Sequence, residues 1–139
     1  MDQKNDVACL AGGAIEKITF ESGVTKVPSH LCEGLTQLKT IEWGNVASLG
    51  YHAFNRCESL TTIELPSKLI CIDGRVFKGC AIRSKSFPNG LTQIGYQAFQ
   101  GSELEQVVIP DSVKILGITN LATEGAFEDC EKLTSVVLL

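Results

Sequence analysis

Two histidines stand at a spacing that could build a metal site. His30 and His52 are separated by one period of the repeat described below, and Cys32 follows closely after the first of them. Imidazole and thiolate are ligands that zinc prefers, but a structural zinc site needs four ligands, and neither CxxC nor HxxxH spacing accompanies these residues. The sequence therefore predicts two partly exposed histidines at turns and no metal site.

The cysteines are the second group of reactive side chains. Cys57, Cys80 and Cys130 each follow a phenylalanine at the same short distance. Ser102 takes the same place after Phe99. Recurrence at one position, with serine as a substitute, favours a small buried side chain in a packing role. We therefore expect reduced structural thiols, with a disulfide between Cys57 and Cys80 as the alternative if their Cα atoms come within about 7 Å.

Cys32 stands where later copies of this pattern have phenylalanine, which again predicts a core position. Cys9 and Cys71 follow no recurring position, so they are the cysteines expected to be exposed.

Two glutamates, Glu42 and Glu64, are separated by the same interval as the two histidines. Neighbouring carboxylates can share a proton and serve as acid and base, provided that a pocket removes them from water. On an open surface they form a solvated acidic strip instead. The chain has no glycine-rich phosphate loop, no GxSxG elbow and no HExxH motif. The sequence therefore predicts a protein that is not an enzyme and has no cofactor.

These equal spacings come from a repeat that covers nearly the whole chain. Its first phrase, apolar-x-x-apolar-x-apolar, begins at positions 15, 38, 60, 104 and 133, and a degenerate copy begins at position 82. A second phrase, apolar-x-x-apolar, follows each of the first five copies, and Ala-Phe or a substitute comes third. The first five copies, counting the degenerate one, are 22 or 23 residues apart. This period is too short for a pair of helices and lies in the range of about 20–29 residues that is typical of leucine-rich repeats.

Each copy predicts a short strand with one face inward, because apolar residues alternate at the end of the first phrase. Pro66, Pro88 and Pro110 recur just after it, where a residue without an N–H ends the strand. One coil cannot bury its apolar edge alone, so the coils must stack, and six strands give a stack about 25–30 Å long. The predicted spine is a column of four phenylalanines: Phe54, Phe77, Phe99 and Phe127.

The segments LTTIELPSKL, at 60–69, and LEQVVIPDSVKIL, at 104–116, resemble the BspA-like leucine-rich repeats, whose pattern is approximately LxxIxLPxxVxxIGxxAFxxC. The resemblance covers residues from about 15 to 139. It implies a leucine-rich-repeat solenoid, a right-handed superhelix of about six coils with one short parallel strand per coil, turns and little helix. Family members are commonly surface or secreted proteins, and some adhere to host matrix proteins.

The chain departs from this pattern in four places. Lys85 replaces an inward apolar residue, so this coil is distorted or the ammonium reaches an edge. Residues 118–124 are an insertion, either a binding loop or a tolerated surface loop. Residues 1–14 are expected to be an N-terminal cap or leader before a single solenoid domain at 15–139. The chain stops at a strand without a polar cap, which favours a piece of a longer protein or end-to-end self-association.

The composition of the chain limits the classes of partner that it is expected to bind. An apolar fraction of 44% and a charged fraction of 20% are typical of a globular domain. The net charge is −4 with scattered basic residues, which argues against nucleic acid as a partner. No apolar run approaches the roughly 18 residues of a membrane span, so we expect no membrane insertion. The start of the chain does not resemble a signal peptide, and localisation stays open between an intracellular protein and one that has lost its export signal.

The outward strand positions are those that the repeat leaves free to vary, and they form two columns. The first column is Lys17, Thr40, Thr62, Ser84, Gln106 and Ser135, and the second is Thr19, Glu42, Glu64, Ser86, Val108 and Val137. A rigid extended face of this kind can bind a protein without first becoming ordered. The sequence thus predicts a noncatalytic recognition module, adhesive and matrix-binding if it follows the resemblance. The alternative is an intracellular interaction scaffold.

Overall fold

The computed structural model describes residues 9–83, 86–117 and 125–139. Within these ranges the chain forms short parallel strands joined by turns, without a helix. The described residues therefore contain no long apolar helix that could cross a membrane. The segment 1–8, Ser84, Lys85 and the insertion at 118–124 lie outside the described residues. The strands are β1 (Lys17–Thr19), β2 (Lys26–Val27), β3 (Thr40–Glu42), β4 (Ser48–Leu49), β5 (Cys71–Ile72), β6 (Gln93–Ile94), β7 (Gln106–Ile109), β8 (Ile115–Leu116) and β9 (Ser135–Leu138).

The longest sheet has five strands in the order β2-β4-β5-β6-β8. Each strand pairs in parallel with the strand that stands one period of the repeat further along the chain, so each coil adds one strand. The inward residue of each of the first four strands is buried, whereas Leu116 in the last strand is 45% exposed. Stacking of coils therefore provides the burial that one coil lacks.

The predicted solenoid of parallel strands is confirmed, but its strands are distributed differently from the prediction of one strand per coil. The continuous sheet is built by the second phrase of the repeat. The first phrase forms two separate pairs, β1 with β3 and β7 with β9. The segment 62–65 between them forms no strand pairing. The interruption lies beside the degenerate fourth copy, which supplies Lys85 where its neighbours have an apolar residue.

The phenylalanine column forms the centre of the stack. Phe54, Phe77 and Phe99 are buried, and their ring centroids are 5.6 and 5.4 Å apart with nearly parallel planes. Phe127 continues the column at 5.7 Å but is only partly buried in the last coil. At the other end, Trp43 packs edge-on to Phe54 at 5.6 Å and stacks on Phe20 at 6.0 Å. Offset ring contacts of this kind add to the free energy of burying each ring.

Each coil turns sharply around the column position with residues in the left-handed conformation. Shortly before that position stand His30, His52, Arg75 and Gln97, with φ between 52° and 65°. Shortly after it stand Gly34, Arg56, Gly79, Gly101 and Asp129, with φ between 57° and 77°. This conformation costs a residue other than glycine roughly 1–2 kcal/mol, so other contacts must offset the cost. Equal positions in successive coils bring these polar side chains together at one edge of the solenoid.

Candidate functional site

The two predicted columns lie side by side on the outside of the first-phrase strands, and we call their residues the ladder face. Lys17 pairs with Thr40 and Thr19 with Glu42 in one strand pair. In the other pair, Gln106 stands beside Ser135 and Val108 beside Val137. Of the described members of the ladder face, all are exposed except Val108, which is half-buried. Ser84 lies outside the described residues.

An ion pair holds the acidic part of the ladder face. The ammonium of Lys17 lies 3.0 Å from the carboxylate of Glu42, and the hydroxyl of Thr19 donates to the same carboxylate at 3.1 Å. Hydrogen bonds from Lys17 and Thr19 lower the pKa of Glu42, and the bond from Lys17 has the larger effect. A general acid at neutral pH needs a raised pKa. Glu42 is therefore an ionised surface group, suited to electrostatic contact with a partner.

A cleft of about 460 Å³ opens where the first-phrase ladder is interrupted. Its walls include Thr62, Glu64 and Ser86 of the ladder face, together with the apolar Leu65 and Phe87. On its N-terminal side, the indole N–H of Trp43 donates to the carbonyl of Glu64 at 2.7 Å. A side chain thus satisfies a carbonyl next to the interruption, and apolar surface stays open to solvent inside a polar rim.

The two histidines at the left-handed turn positions come together with a glutamate and an asparagine, and we call these four residues the turn cluster. His30 Nδ1 lies 2.7 Å from Glu33 Oε1, and His52 Nδ1 lies 3.2 Å from Glu33 Oε2. Asn55 Nδ2 donates to Glu33 Oε2 at 2.7 Å. The two imidazole rings are 4.9 Å apart. Stacked turn histidines were predicted, but their carboxylate partner was not.

The turn cluster fixes the charge state of its carboxylate. Burial alone would raise the pKa of Glu33, but hydrogen bonds from His30, Asn55 and His52 outweigh it and lower the pKa to about 2. Burial lowers the pKa of His52, an effect that its contact with Glu33 partly reverses. At neutral pH an ionised carboxylate therefore lies against a largely neutral imidazole of His52. Glu33 and Asn55 are themselves one period of the repeat apart, which was the one sequence signal that they stack.

Comparison with known proteins accounts for the repeat. The family described as BspA type leucine rich repeat region matches residues 6–134 in six copies. The chain belongs to this family. No curated protein matches the sequence. Membership supports a repeat-based protein-interaction module, and the family is generally noncatalytic.

Crystal structures of bacterial leucine-rich repeat proteins share the fold. One from Bacteroides ovatus is 25% identical, with a TM-score of 0.74 over 88% of this chain and 33% of its own. One from Eubacterium ventriosum is 23% identical, with a TM-score of 0.74 over 90% of this chain and 32% of its own. The leucine-rich repeat protein of T. pallidum is 32% identical, with a TM-score of 0.71 over 86% of this chain and 57% of its own. The chain thus spans a third to somewhat more than half of these proteins.

In this BspA-type repeat the recurring cysteine has a clear structural role. The thiols of Cys57, Cys80 and Cys130 each donate to the backbone carbonyl at the phenylalanine position of the preceding coil, at 3.0–3.1 Å. Ser102 takes the same position in its coil, is buried, and its hydroxyl oxygen lies 3.1 Å from the sulfur of Cys130. Cys57 and Cys80 are fully buried, and Cys130, in the last coil, is partly exposed. All six cysteines are free thiols in the structure.

The remaining cysteines follow the predictions in part. Cys32 is buried in the phenylalanine position, and burial raises the pKa of its thiol to about 12. Cys9 is exposed. Cys71 belongs to β5 and is only partly exposed, and burial, followed by the charge of Asp73, raises its pKa. Its position in the second-phrase strand, which the prediction did not treat as a strand, explains the difference.

Apolar side chains are exposed on the last coils of this BspA-type solenoid. The most exposed on β8, β9 and the chain end are Leu116 at 45%, Val136 at 51%, Leu138 at 70% and Leu139 at 71%. Strands β8 and β9 each pair on one edge only within the described residues. These side chains form an apolar edge at β8 and β9.

Proposed function

We propose that this chain is a noncatalytic protein-recognition module that binds its ligand through the ladder face. Support comes from the combination of exposed polar columns with the cleft at the interruption. The columns offer hydroxyl, amide and carboxylate groups at the regular spacing of parallel strands. The cleft offers apolar surface, from Leu65 and Phe87, that can hold an anchoring side chain of the partner.

The charge of the surface indicates the kind of ligand. Glu42 and Glu64 present carboxylates on neighbouring coils, and Arg83 lies in the wall of the cleft that Glu64 also lines. An extended protein segment with a basic residue beside an apolar one would match this surface, since the basic residue can pair with the carboxylates and the apolar residue can enter the cleft. Exposed charges contribute modestly to affinity and more to the rate and specificity of association.

In its finer form, the proposal is a surface or secreted module that adheres to host matrix proteins. The resemblance to BspA-like repeats supports this form, as does a rigid solenoid that needs no ordering on binding. The apolar edge at β8 and β9 adds a further proposed contact, end-to-end association with another copy of the solenoid.

A second candidate is an intracellular interaction scaffold, and the thiols favour it. A thiol that donates a hydrogen bond must be reduced, and Cys57 and Cys80 both donate from fully buried positions. Reduced cysteines are the rule in reducing compartments, whereas small exported domains more often form disulfides.

The test is binding of the purified protein to immobilised fibronectin and fibrinogen and to a cytosolic lysate. Saturable binding to a matrix protein that a Glu42→Lys/Glu64→Lys variant loses would support adhesion through the ladder face. Binding that this variant retains would move the ligand surface elsewhere. A specific lysate partner without matrix binding would instead favour the intracellular scaffold.

A further inference from the structure

We propose that His30, Glu33 and His52 form a binding site for a divalent transition-metal ion of the zinc, cobalt and nickel class. One ligand atom from each residue lies within 4.8 Å of the other two. Zinc–nitrogen and zinc–oxygen bonds are about 2.0–2.2 Å, which places two ligands of a tetrahedral ion roughly 3.4 Å apart. To seat an ion, the 2.7 Å contact of the carboxylate therefore needs to open by roughly 0.7 Å and the 3.2 Å contact by roughly 0.2 Å.

The backbone holds these ligands in place before any ion binds. His30 and His52 occupy the same left-handed turn position in successive coils, and a backbone hydrogen bond from Cys32 to Ala53 fixes the two turns against each other at 2.8 Å. The carboxylate of Glu33 contacts both imidazoles, one with each oxygen. Rigid scaffolding of the ligands lowers the entropic cost of metal binding.

A buried polar atom beside the carboxylate lacks a hydrogen-bond partner among the described residues. Asn55 is 7% exposed, and its Nδ2 donates to Glu33, yet its Oδ1 has no hydrogen-bond partner there. Burying an unpaired carbonyl oxygen is costly. A water molecule in the fourth coordination position of the ion would supply the missing donor, and Asn55 would then orient both a ligand and that water.

The ligand types select the class of ion. Two imidazole nitrogens and one carboxylate suit zinc, cobalt and nickel, whereas calcium and magnesium prefer oxygen ligands throughout. The same edge of the solenoid shows what an arrangement without metal looks like. Arg75 donates to Gln97, and Gln97 donates to Glu128, so these neighbouring coils are joined by direct donor–acceptor pairs. Within the described part of the chain, two imidazoles on one carboxylate are peculiar to the first two turns.

The experiment is a titration of chelator-treated protein with Co²⁺, followed by its visible d–d absorption and by displacement with Zn²⁺. The background carries Cys9→Ser, because the thiol of Cys9 donates to the backbone carbonyl of Glu33 at 3.3 Å and could itself bind metal. The test variants are His30→Gln and Glu33→Gln. The matched control is Glu42→Gln, which removes a carboxylate from the ladder face. Circular dichroism checks that every variant is folded.

The proposal expects one equivalent of Co²⁺, displaced by Zn²⁺, and at least a tenfold loss of affinity in both test variants, with the control unchanged. It also expects no thiolate-to-cobalt charge-transfer band in the near ultraviolet. If a test variant does not fold, the other variant and the rise of the melting temperature of the parent protein with Zn²⁺ decide the question. Absence of a saturable spectrum, a spectrum that persists in folded test variants, or a thiolate band would overturn the proposal.

Discussion

Truncation of Phe77 to alanine tests the account of the core. The ring is fully buried and lies between those of Phe54 and Phe99, at 5.6 and 5.4 Å. Removing it loses the transfer free energy of the ring and leaves a cavity that rigid neighbours cannot fill, which costs about 3–5 kcal/mol. The loss of two ring contacts, each worth roughly 0.5–1.5 kcal/mol, places the expected value in the upper half of that range.

The matched control is Phe127→Ala. This ring is partly buried in the last coil and has one parallel neighbour, Phe99. Its truncation should therefore cost about half as much as that of Phe77, roughly 2 kcal/mol. The two variants differ in position along the stack and not in chemistry, so their difference isolates the contribution of burial between coils.

The assay is urea denaturation followed by circular dichroism and by fluorescence of Trp43, which packs edge-on to Phe54. A solenoid can unfold coil by coil, so coincidence of the two probes and constancy of the m-value must be checked before free energies are compared. A cost below about 1 kcal/mol for Phe77→Ala, or equal costs for both variants, would refute the phenylalanine column as the centre of the core.

Gly95→Ala should destabilise the protein by roughly 1–3 kcal/mol, because the added Cβ would lie 2.5 Å from the backbone nitrogen of Gly74 in the preceding coil. The control Gly90→Ala, with open space around the added Cβ, should cost less than about 0.5 kcal/mol. The urea midpoints of the two variants measure the difference. In metal-free protein, the ionised carboxylate of Glu33 should stabilise the fold at pH values above its ordinary pKa of 4.5, and this contribution should be lost as the pH falls towards about 2. The urea midpoint should therefore drop less steeply with falling pH in Glu33→Gln than in the parent protein. In native protein the thiol of Cys9 should react first with a thiol reagent, and the three fully buried thiols should react only after unfolding; equal rates for all six would contradict the burial described here.

The sequence was sufficient to predict the solenoid and its core, because stacking makes every coil repeat the same packing requirements. The position of Phe77 between its neighbours and the burial of Cys80 follow directly from the period of the repeat. The distribution of strands did not follow from it. Both phrases of the repeat place apolar residues inward, so periodicity alone could not decide which of them forms the continuous sheet.

The candidate sites were predicted to different degrees. The ladder face was readable from the strand period, since outward positions alternate with buried ones. The cleft beside Phe87 was indicated only in part. Lys85 marks the fourth copy of the repeat as irregular, but the repeat pattern does not show that strand pairing stops beside it or that a cleft opens there. The turn cluster could not be predicted in full, because the partners of Glu33 lie both in its own turn and in the next coil. Only the fold brings this carboxylate into contact with both histidines.

The central claim is that protein recognition takes place on the ladder face. Its most direct test is the affinity of one captured partner, from matrix or lysate, for three proteins: the parent, Glu42→Lys/Glu64→Lys, and a control with the same change of charge, Glu21→Lys/Glu58→Lys, at exposed positions off the ladder face. The account predicts at least a tenfold loss of affinity, about 1.4 kcal/mol, for the ladder-face variant and less than a twofold change for the control. Unchanged binding by the ladder-face variant, or an equal loss in the control, would contradict it.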